Sequence, residues 1–233
     1  MLYSYEVAKL KKRSTAVSRL GLIRRHFILT ALGAAFGAAF GLPASAAGAK
    51  TILVVGDSLS AEFGLARGSG WVALLEKKLA LEKIAAKVVN ASISGDTTAG
   101  GRARLPALLK LHQPAVVVIE LGGNDALRGL PLDMTEANLA AMTQAARQAG
   151  AKVLLAGMQM PPNYGADYGR RFQDLFARVA KAHDAALVPF LLKGVADRPD
   201  ALEWFQSDRI HPTAEAHPTI LANVWPELQR LLK

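Results

Sequence analysis

The 233-residue sequence contains no cysteine, and this absence excludes several kinds of chemistry at once. Without a thiol there is no disulfide bond, no thiolate metal site, no cysteine nucleophile and no lipid anchor on cysteine. Only five histidines are present and none lies in a His-Glu-x-x-His pattern, so we predict no metal site. No Gly-x-Gly-x-x-Gly segment follows the first predicted strand, which argues against a nucleotide. We therefore predict a function that needs no cofactor.

Acidic residues are outnumbered, but the excess of positive charge is concentrated near the N-terminus. The formal net charge is +9, from 28 Lys and Arg against 19 Asp and Glu. Residues 1–26 hold seven of the basic residues and one of the acidic residues, which leaves 21 basic and 18 acidic residues elsewhere. A nucleic-acid-binding domain carries a clustered basic surface. The nearly balanced remainder argues against one, and we expect no nucleic-acid partner.

The basic segment is followed by an uncharged run, Phe27–Leu42, and then by Pro43-Ala44-Ser45-Ala46-Ala47. A basic start, an apolar middle and an Ala-x-Ala end are typical of a secretory signal peptide. We predict an export signal over residues 1–46, cleavage after Ala46, and a periplasmic or secreted protein. The pair Arg24-Arg25 loosely resembles a twin-arginine signal, and the export route stays open.

An uncleaved membrane anchor is the alternative interpretation of this segment. Gly33, Gly37 and Gly41 lie four residues apart, which is the spacing of a helix-dimerising Gly-x-x-x-Gly face. The uncharged run is only modestly apolar, however, and a spanning helix needs about 20 mostly apolar residues. We therefore favour a cleaved signal and expect no stable membrane anchor after cleavage.

From residue 51 onward, short β-rich runs alternate with longer helical patterns. The predicted strands are Thr51–Val55, Ala86–Asn90, Ala115–Leu121, Lys152–Gly157 and Ala186–Phe190. The predicted helices are Ser69–Lys83, Thr97–Leu111 with an interruption near Pro106, Thr135–Ala149, Tyr168–His183 and Thr213–Leu232. This alternation predicts one doubly wound α/β domain over residues 47–233, a three-layer α/β/α sandwich around a five-stranded parallel sheet.

Polar and glycine-rich segments follow the predicted strands, where parallel sheets bind their ligands. The segments are Gly56-Asp57-Ser58-Leu59-Ser60 after the first strand, Asn90–Thr97 after the second and Gly122-Gly123-Asn124-Asp125 after the third. A fourth segment, Ser207–Pro212, precedes the last helix. Each segment alone is a weak signal, but together they predict one site at this edge of the sheet.

In this order the four segments resemble the GDSL, or SGNH, hydrolase family. The letters of SGNH fall on Ser58, Gly95, Asn124 and His211, and the resemblance covers residues 50–233. It implies a flavodoxin-like SGNH hydrolase fold and hydrolysis of esters through a serine nucleophile. The Gly-x-Ser-x-Gly elbow of α/β-hydrolases is absent because position 60 is serine.

Three residues of these segments have the chemistry of a catalytic triad. A hydroxyl such as that of Ser58 is a weak nucleophile and needs a neighbouring base. We predict that His211 is this base and that Asp208, three residues earlier, holds its imidazole. The ordinary alternatives are a helix-capping Ser58 or Asp208 and a structural His211. Among the other histidines, His217 is the only serious rival as base.

The resemblance also implies an oxyanion hole with three hydrogen-bond donors. These are the backbone N–H groups of Ser58 and Gly95 and the side-chain amide of Asn124, which would stabilise a tetrahedral intermediate. An ordinary turn is the alternative role of Gly95 and of Asn124. The resemblance further implies that Asp57 and Asp125 brace their loops.

An acyl pocket is implied between the loop Asp125–Pro131 and the segment Met158–Pro162. The predicted substrate contacts are Asp125, Leu127, Met160 and Pro161. A methionine in this position makes an adaptable apolar wall. The resemblance does not extend to the preferred acyl length.

The resulting functional hypothesis is an exported serine esterase that hydrolyses fatty acyl thioesters and oxygen esters, as acyl-CoA thioesterases, lysophospholipases and arylesterases do. Its partner is then a small acyl ester, and we expect a monomer. One alternative is a carbohydrate O-acetyl esterase of the same family. Another, from a different class, is a lipid-binding module without catalysis.

Overall fold

The computed structural model describes residues 49–233, so the predicted signal over residues 1–46 lies outside the described residues. The strands are β1 Lys50–Gly56, β2 Ala86–Asn90, β3 Val116–Glu120, β4 Lys152–Ala156 and β5 Ala186–Val188. The α-helices are α1 Trp71–Leu81, α2 Thr98–His112, α3 Gly123–Leu127, α4 Leu132–Gln148, α5 Ala166–Ala182 and α6 His217–Leu232. Short 3₁₀ turns lie at Pro162–Tyr164, Ala201–Trp204 and Ala214–Ala216. No helix of this described part is both long enough and apolar enough to cross a membrane.

The five strands form one parallel sheet in the order β2-β1-β3-β4-β5. Every residue of β3 is buried, as expected of a central parallel strand with helices over both faces. Helix α1 packs against α6, while α4 packs against both α2 and α5. The predicted three-layer α/β/α sandwich with a five-stranded parallel sheet is therefore confirmed.

The strand order places a crevice at the carboxyl ends of β1 and β3. The chain leaves β1 towards β2 on one side and leaves β3 towards β4 on the other. The connections therefore diverge between these two neighbours, and such a switch point is where doubly wound folds bind ligands. Ser58 follows β1 by two residues, and Asn124 follows β3 by four. The topology thus brings the first and third predicted segments together.

Several predicted boundaries are wrong, for identifiable reasons. The predicted interruption near Pro106 is absent, since α2 runs unbroken from Thr98 to His112. Proline removes one N–H from the helix, but Leu105 and Leu109 on either side of it are buried and hold the helix on the sheet. The last helix begins at His217 rather than Thr213, because the N–H of Thr213 is donated to Trp204 in the preceding loop.

His217 has a structural position at the start of α6. Its side chain is buried, and its Nδ1 accepts the backbone N–H of Trp71, the first residue of α1, at 2.9 Å. That N–H has no partner within its own helix, so the imidazole satisfies a donor that would otherwise be buried and unpaired. Burial lowers the pKa of His217. The accepting role requires the neutral ring, which burial favours.

We predict that His217 makes the fold less stable in mild acid. Because the folded pKa is lowered, the stabilisation by neutral His217 is present above the ordinary histidine pKa of about 6.5 and is lost as the pH falls through it. His217→Asn retains an oxygen that can accept from Trp71 but does not titrate. Urea unfolding at pH 8 and pH 5 is expected to show a smaller loss of stability for His217→Asn than for the wild type. His112→Asn, at the end of α2, is the control, and equal losses in all three proteins would contradict the prediction.

Candidate active site

The structure brings Ser58, His211 and Asp208 into one hydrogen-bonded line. Nε2 of His211 lies 2.8 Å from Oγ of Ser58, and Nδ1 of His211 lies 2.6 Å from Oδ2 of Asp208. Ser58 and His211 are 153 residues apart in sequence, so only the folded domain assembles the pair. The distances are those of a nucleophile with its base and of that base with its orienting carboxylate.

The loop that carries Asp208 and His211 is fixed by its own backbone. Phe205 and Pro212 form an isolated antiparallel bridge, and the N–H of Gln206 is donated to the carbonyl of His211 at 2.7 Å. Oδ1 of Asp208 accepts the N–H groups of Ile210 and His211 at 2.9 and 3.0 Å. One oxygen of Asp208 therefore shapes the loop, while the other is left for the imidazole.

These contacts keep Asp208 ionised. The backbone N–H of His211, followed by its side chain and the N–H of Ile210, lowers the pKa of Asp208 to about 2. A carboxylate has no proton to donate, so Nδ1 of His211 must donate to it. In the neutral ring Nε2 is then the acceptor, positioned to receive the hydroxyl proton of Ser58. The geometry thus selects the tautomer that a general base requires.

The backbone N–H groups of Ser58 and Gly95 have no acceptor among the described residues. Within residues 49–233, neither N–H donates a hydrogen bond to another protein group. Gly95 has a φ of +77°, a left-handed conformation that a side chain would strain, and a Cβ there would meet only Nη2 of Arg128, at 3.7 Å. Glycine at position 95 is therefore needed for the backbone conformation.

Asn124 lies in α3, and its amide is held from two sides. Nδ2 donates to Oδ2 of Asp57 at 3.0 Å and to the backbone carbonyl of Asp96 at 3.0 Å. A rotated amide would turn its oxygen towards these two acceptors, so the orientation with nitrogen inward is fixed. Asp57 comes from the loop after β1 and Asp96 from the loop after β2. The amide thus ties the loops after three strands together.

Gly56 permits a close approach between two strands. It is the last residue of β1 and lies in register with Glu120 of β3. A Cβ on Gly56 would lie 2.7 Å from Oε2 of Glu120 and 2.8 Å from the side chain of Ser60. Only a hydrogen atom fits between these groups.

An apolar cavity of about 480 Å³ is lined by sequence neighbours of the site residues, with Gly123 next to Asn124 and Ile210 next to His211. Three of the predicted substrate contacts, Leu127, Met160 and Pro161, line it. Met158 belongs to the predicted segment Met158–Pro162, but sequence analysis missed other lining residues, which include Phe190, Leu192, Leu202, Phe205 and Ile210. The last three come from the irregular segment between β5 and α6, which has no periodicity that would reveal which residues share a face.

The structure does not support the prediction that Asp125 contacts substrate. The contacts of Asp125 fit its other predicted role, which is to brace its loop. Asp125 is 1% exposed and does not line the cavity. Oδ2 of Asp125 accepts the N–H of Thr98 at 2.9 Å, and Oδ1 accepts the hydroxyls of Thr98 and Thr135. Burial and these hydrogen bonds commit the carboxyl group to joining α3 to α2 and α4.

Phe63 is a further residue at the site that sequence analysis missed. Its ring lies 4.3 Å from the imidazole of His211, at an interplanar angle of 35°. Nε2 of Gln206 donates to the carbonyl of Phe63 at 2.9 Å, which ties the loop after Ser58 to the loop of His211. An aromatic residue five positions after the serine was the only signal available. Phe63 covers one face of the imidazole ring.

A larger depression, of about 720 Å³, lies at the opposite edge of the sheet and lacks the features of a site. It is lined by the beginnings of β4 and β5, and its charged side chains are engaged locally: Arg147 pairs with Asp184, Arg230 with Glu227, and Lys152 with the carbonyl of Leu231. Across residues 49–233 there is no group of three or more His, Asp or Glu placed to hold a metal ion.

Comparison with known proteins gives consistent results. Residues 54–218 match the GDSL-like lipase/acylhydrolase family. The chain is 56% identical over 186 residues to an esterase, TesA, of Pseudomonas aeruginosa. This match covers 80% of this chain and 91% of that protein. It is 44% identical over 187 residues to thioesterase 1/protease 1/lysophospholipase L1 of Escherichia coli K12, covering 80% of this chain and 87% of that one.

A solved structure supports the same assignment. The psychrotrophic esterase EstA from a Pseudoalteromonas species, in a structure inhibited by monoethylphosphonate, has a TM-score of 0.73 and 37% identity. The match covers 78% of this chain and 98% of that chain. The sheet, the residues at its carboxyl edge and these matches lead to one assignment: the chain belongs to the GDSL-like lipase/acylhydrolase family and is an ester-hydrolysing enzyme.

Proposed function

We propose that this protein is a serine esterase that hydrolyses fatty acyl oxygen esters and thioesters through an acyl-enzyme on Ser58. The observation that carries the proposal is the line from Ser58 through His211 to Asp208, at 2.8 and 2.6 Å, together with an apolar cavity of about 480 Å³. Each part has a distinct task in ester cleavage. A module that only binds lipid needs no base held by a carboxylate.

In the first step Ser58 attacks the carbonyl carbon of the ester. Its proton passes to Nε2 of His211, and Asp208 stabilises the resulting imidazolium from the Nδ1 side. The carbonyl π bond opens, and its electron pair becomes an oxyanion. When the tetrahedral intermediate collapses, the bond to the leaving group breaks and His211 returns the proton to the alkoxide or thiolate. Water, activated by the same His211, then releases the acid from Ser58.

The oxyanion would be stabilised by the N–H groups of Ser58 and Gly95 and by the amide of Asn124. The two backbone N–H groups have no acceptor among the described residues, so a substrate oxygen displaces no existing protein bond there. Asn124 donates to Asp57 and to the carbonyl of Asp96. We propose that the hydrogen on the Asp96 side is shared with the oxyanion. Loss of one such donor costs about 10²–10³ in rate in a comparable enzyme.

The size and lining of the cavity favour a substrate with a long acyl chain over one with an acetyl group. Its lining is dominated by aliphatic, methionine and aromatic side chains, with Leu202, Phe205 and Ile210 near the loop of His211. An acetyl group would leave most of this volume unfilled. The O-acetyl esterase alternative would need polar side chains for a sugar, and the apolar lining does not favour it. Thioester and lysophospholipid substrates are suggested by the E. coli relative, which is a thioesterase and lysophospholipase by name.

Residues 1–46 are proposed to be an export signal, with the enzyme acting in the periplasm or outside the cell. The proposal rests on the basic start, the apolar run Phe27–Leu42 and the sequence Ala44-Ser45-Ala46. We predict that the protein recovered from the periplasm or medium of a bacterial host begins at Ala47. Intact mass spectrometry measures this directly. A mass that corresponds to the full chain would contradict cleavage, and Ala46→Arg, which blocks the small-residue site, is expected to leave the signal attached.

Removal of the nucleophile tests the mechanism. Ser58→Ala is expected to reduce kcat on p-nitrophenyl esters by about 10⁴-fold or more, because the remaining groups cannot form an acyl-enzyme. Ser207→Ala is the matched control, since Ser207 is exposed and adjoins Asp208 in the same loop. It should keep the activity of the wild type. Near-normal turnover by Ser58→Ala would overturn the proposal.

A narrower cavity should shorten the preferred acyl chain. Ala201 lines the cavity, and Ala201→Phe would fill space that about three methylene groups occupy. Each buried methylene contributes roughly 0.8 kcal/mol. We therefore expect kcat/KM for p-nitrophenyl esters of eight or more carbons to fall by about 50-fold, with the acetate little changed.

Leu81→Phe provides the control for this series, because Leu81 is 82% exposed at the end of α1. It should leave the chain-length profile of the wild type unaltered. A wild-type enzyme that cleaves only acetate would instead support the O-acetyl esterase. If Ala201→Phe lowered kcat/KM equally for esters of all chain lengths, the cavity would not hold the acyl group.

A further inference from the structure

Glu120 is a fully buried carboxyl group that the proposed mechanism does not use. It ends β3 and is 1% exposed. Its Oε2 accepts the hydroxyl of Ser60 at 2.7 Å and the backbone N–H of Asp57 at 3.3 Å. The indole Nε1 of Trp71 donates to Oγ of Ser60 at 3.1 Å from the opposite side. Glu120 therefore lies directly beneath the turn that carries Ser58.

Asp57 is a second buried carboxyl group in contact with the first. It is 3% exposed, its backbone N–H donates to Oε2 of Glu120 at 3.3 Å, and its charge is one of the causes that raise the pKa of Glu120. Within residues 49–233 neither carboxyl group forms an ion pair. The neighbouring cation, Arg104, is directed to Asp96 and to the carbonyls of Ala91 and Gly56. Two adjacent buried charges without a cation repel strongly, so the pair must hold a proton.

The hydrogen bonds indicate which carboxyl group holds the proton. Asp57 accepts the N–H of Leu59 on Oδ1 and the amide of Asn124 on Oδ2, both at 3.0 Å, and these donors favour its ionised form. Burial still raises the pKa of Asp57, to about 6. Burial, and then the charge of Asp57, raises the pKa of Glu120 well above its ordinary value. At neutral pH Glu120 is therefore the protonated partner and Asp57 the carboxylate.

The location of this proton affects the orientation of the Asn124 amide. Asp57 can accept the Asn124 amide strongly only as a carboxylate, and that bond fixes which side of the amide faces the site. If Glu120 also ionised, the two charges would repel and Asp57 would shift or take up a proton of its own. His211 and Asp96 are the other titratable groups that act on Asp57. Asp96 forms an ion pair with Arg104, and His211 acts on the Asp57–Glu120 pair only through its charge.

We propose that Glu120 is a positioning residue for the oxyanion hole: its carboxyl group donates a retained proton to Asp57, which stays ionised and orients the amide of Asn124. The inference rests on the proposed role of Asn124 as an oxyanion donor. It predicts that a neutral hydrogen-bonding side chain replaces Glu120 well and that an apolar one does not. It also predicts that activity is lost at alkaline pH when the shared proton leaves.

The test compares Glu120→Gln with Glu120→Leu on p-nitrophenyl acetate. Gln is neutral, and it can accept from Ser60 and donate to Asp57 as protonated Glu120 does, whereas Leu has similar bulk and no hydrogen bond. We expect Glu120→Leu to lower kcat by about 10²-fold with KM changed less than about twofold, as for loss of an oxyanion donor. Glu120→Gln should restore most of this loss. It should also keep its activity at the alkaline pH where that of the wild type declines.

A double-mutant cycle separates this role from a merely structural one. In an Asn124→Ala background, Glu120→Leu should cause little further loss of kcat, because its effect passes through Asn124. The proposal would be overturned if Glu120→Gln and Glu120→Leu had equal activity, whether both were impaired or both active. Additive losses of kcat in the cycle would also overturn it. If Glu120→Leu does not fold, the pH profile of Glu120→Gln decides alone. An active Ser58→Ala would instead refute the proposed function itself.

Discussion

The parallel register of β1 and β3 sets Gly56 beside Glu120, and no side chain larger than hydrogen fits between them. This close approach brings the turn after β1 down onto the end of β3. Ser58 and the Asn124 amide then lie at the same edge of the sheet, at the point where the chain connections diverge. A side chain on Gly56 would push the turn outward and separate Ser58 from Asn124.

His211, the proposed base, reaches this edge by a different route. His211 comes from an irregular loop near the C-terminus, where an Asp208 carboxylate, a bridge between Phe205 and Pro212 and the contact of Gln206 with Phe63 replace regular structure. Such a loop has no sheet partner to set its position. Hydrogen bonds within the loop must therefore set the position of His211, because a displacement of this side chain by about 1 Å is enough to impair catalysis.

The sequence predicts those features that repeat or that carry reactive side chains. The alternation of β-rich and helical segments locates all five strands, and the family resemblance carried by the ordered motif segments predicts the proximity of Ser58, Asp208 and His211. Features that depend on packing escape this reasoning: α2 passes through Pro106 because buried leucines hold it, and Asp125 turns inward to two threonines. Phe63 offers no pattern at all. Glu120 lies within an otherwise apolar run, which conceals its polar contacts.

Charge explains why the two sides of the site use their carboxyl groups differently. In the proposed mechanism, attack on the ester creates an imidazolium on His211 and an oxyanion near Asn124 and Gly95. A carboxylate beside the imidazolium, Asp208, stabilises the first charge, and its low pKa of about 2 keeps it ionised. A carboxylate beneath the oxyanion would repel the second charge. In the proposed arrangement, a single negative charge on Asp57 holds Asn124 on that side, and the proton on Glu120 prevents a second charge from forming.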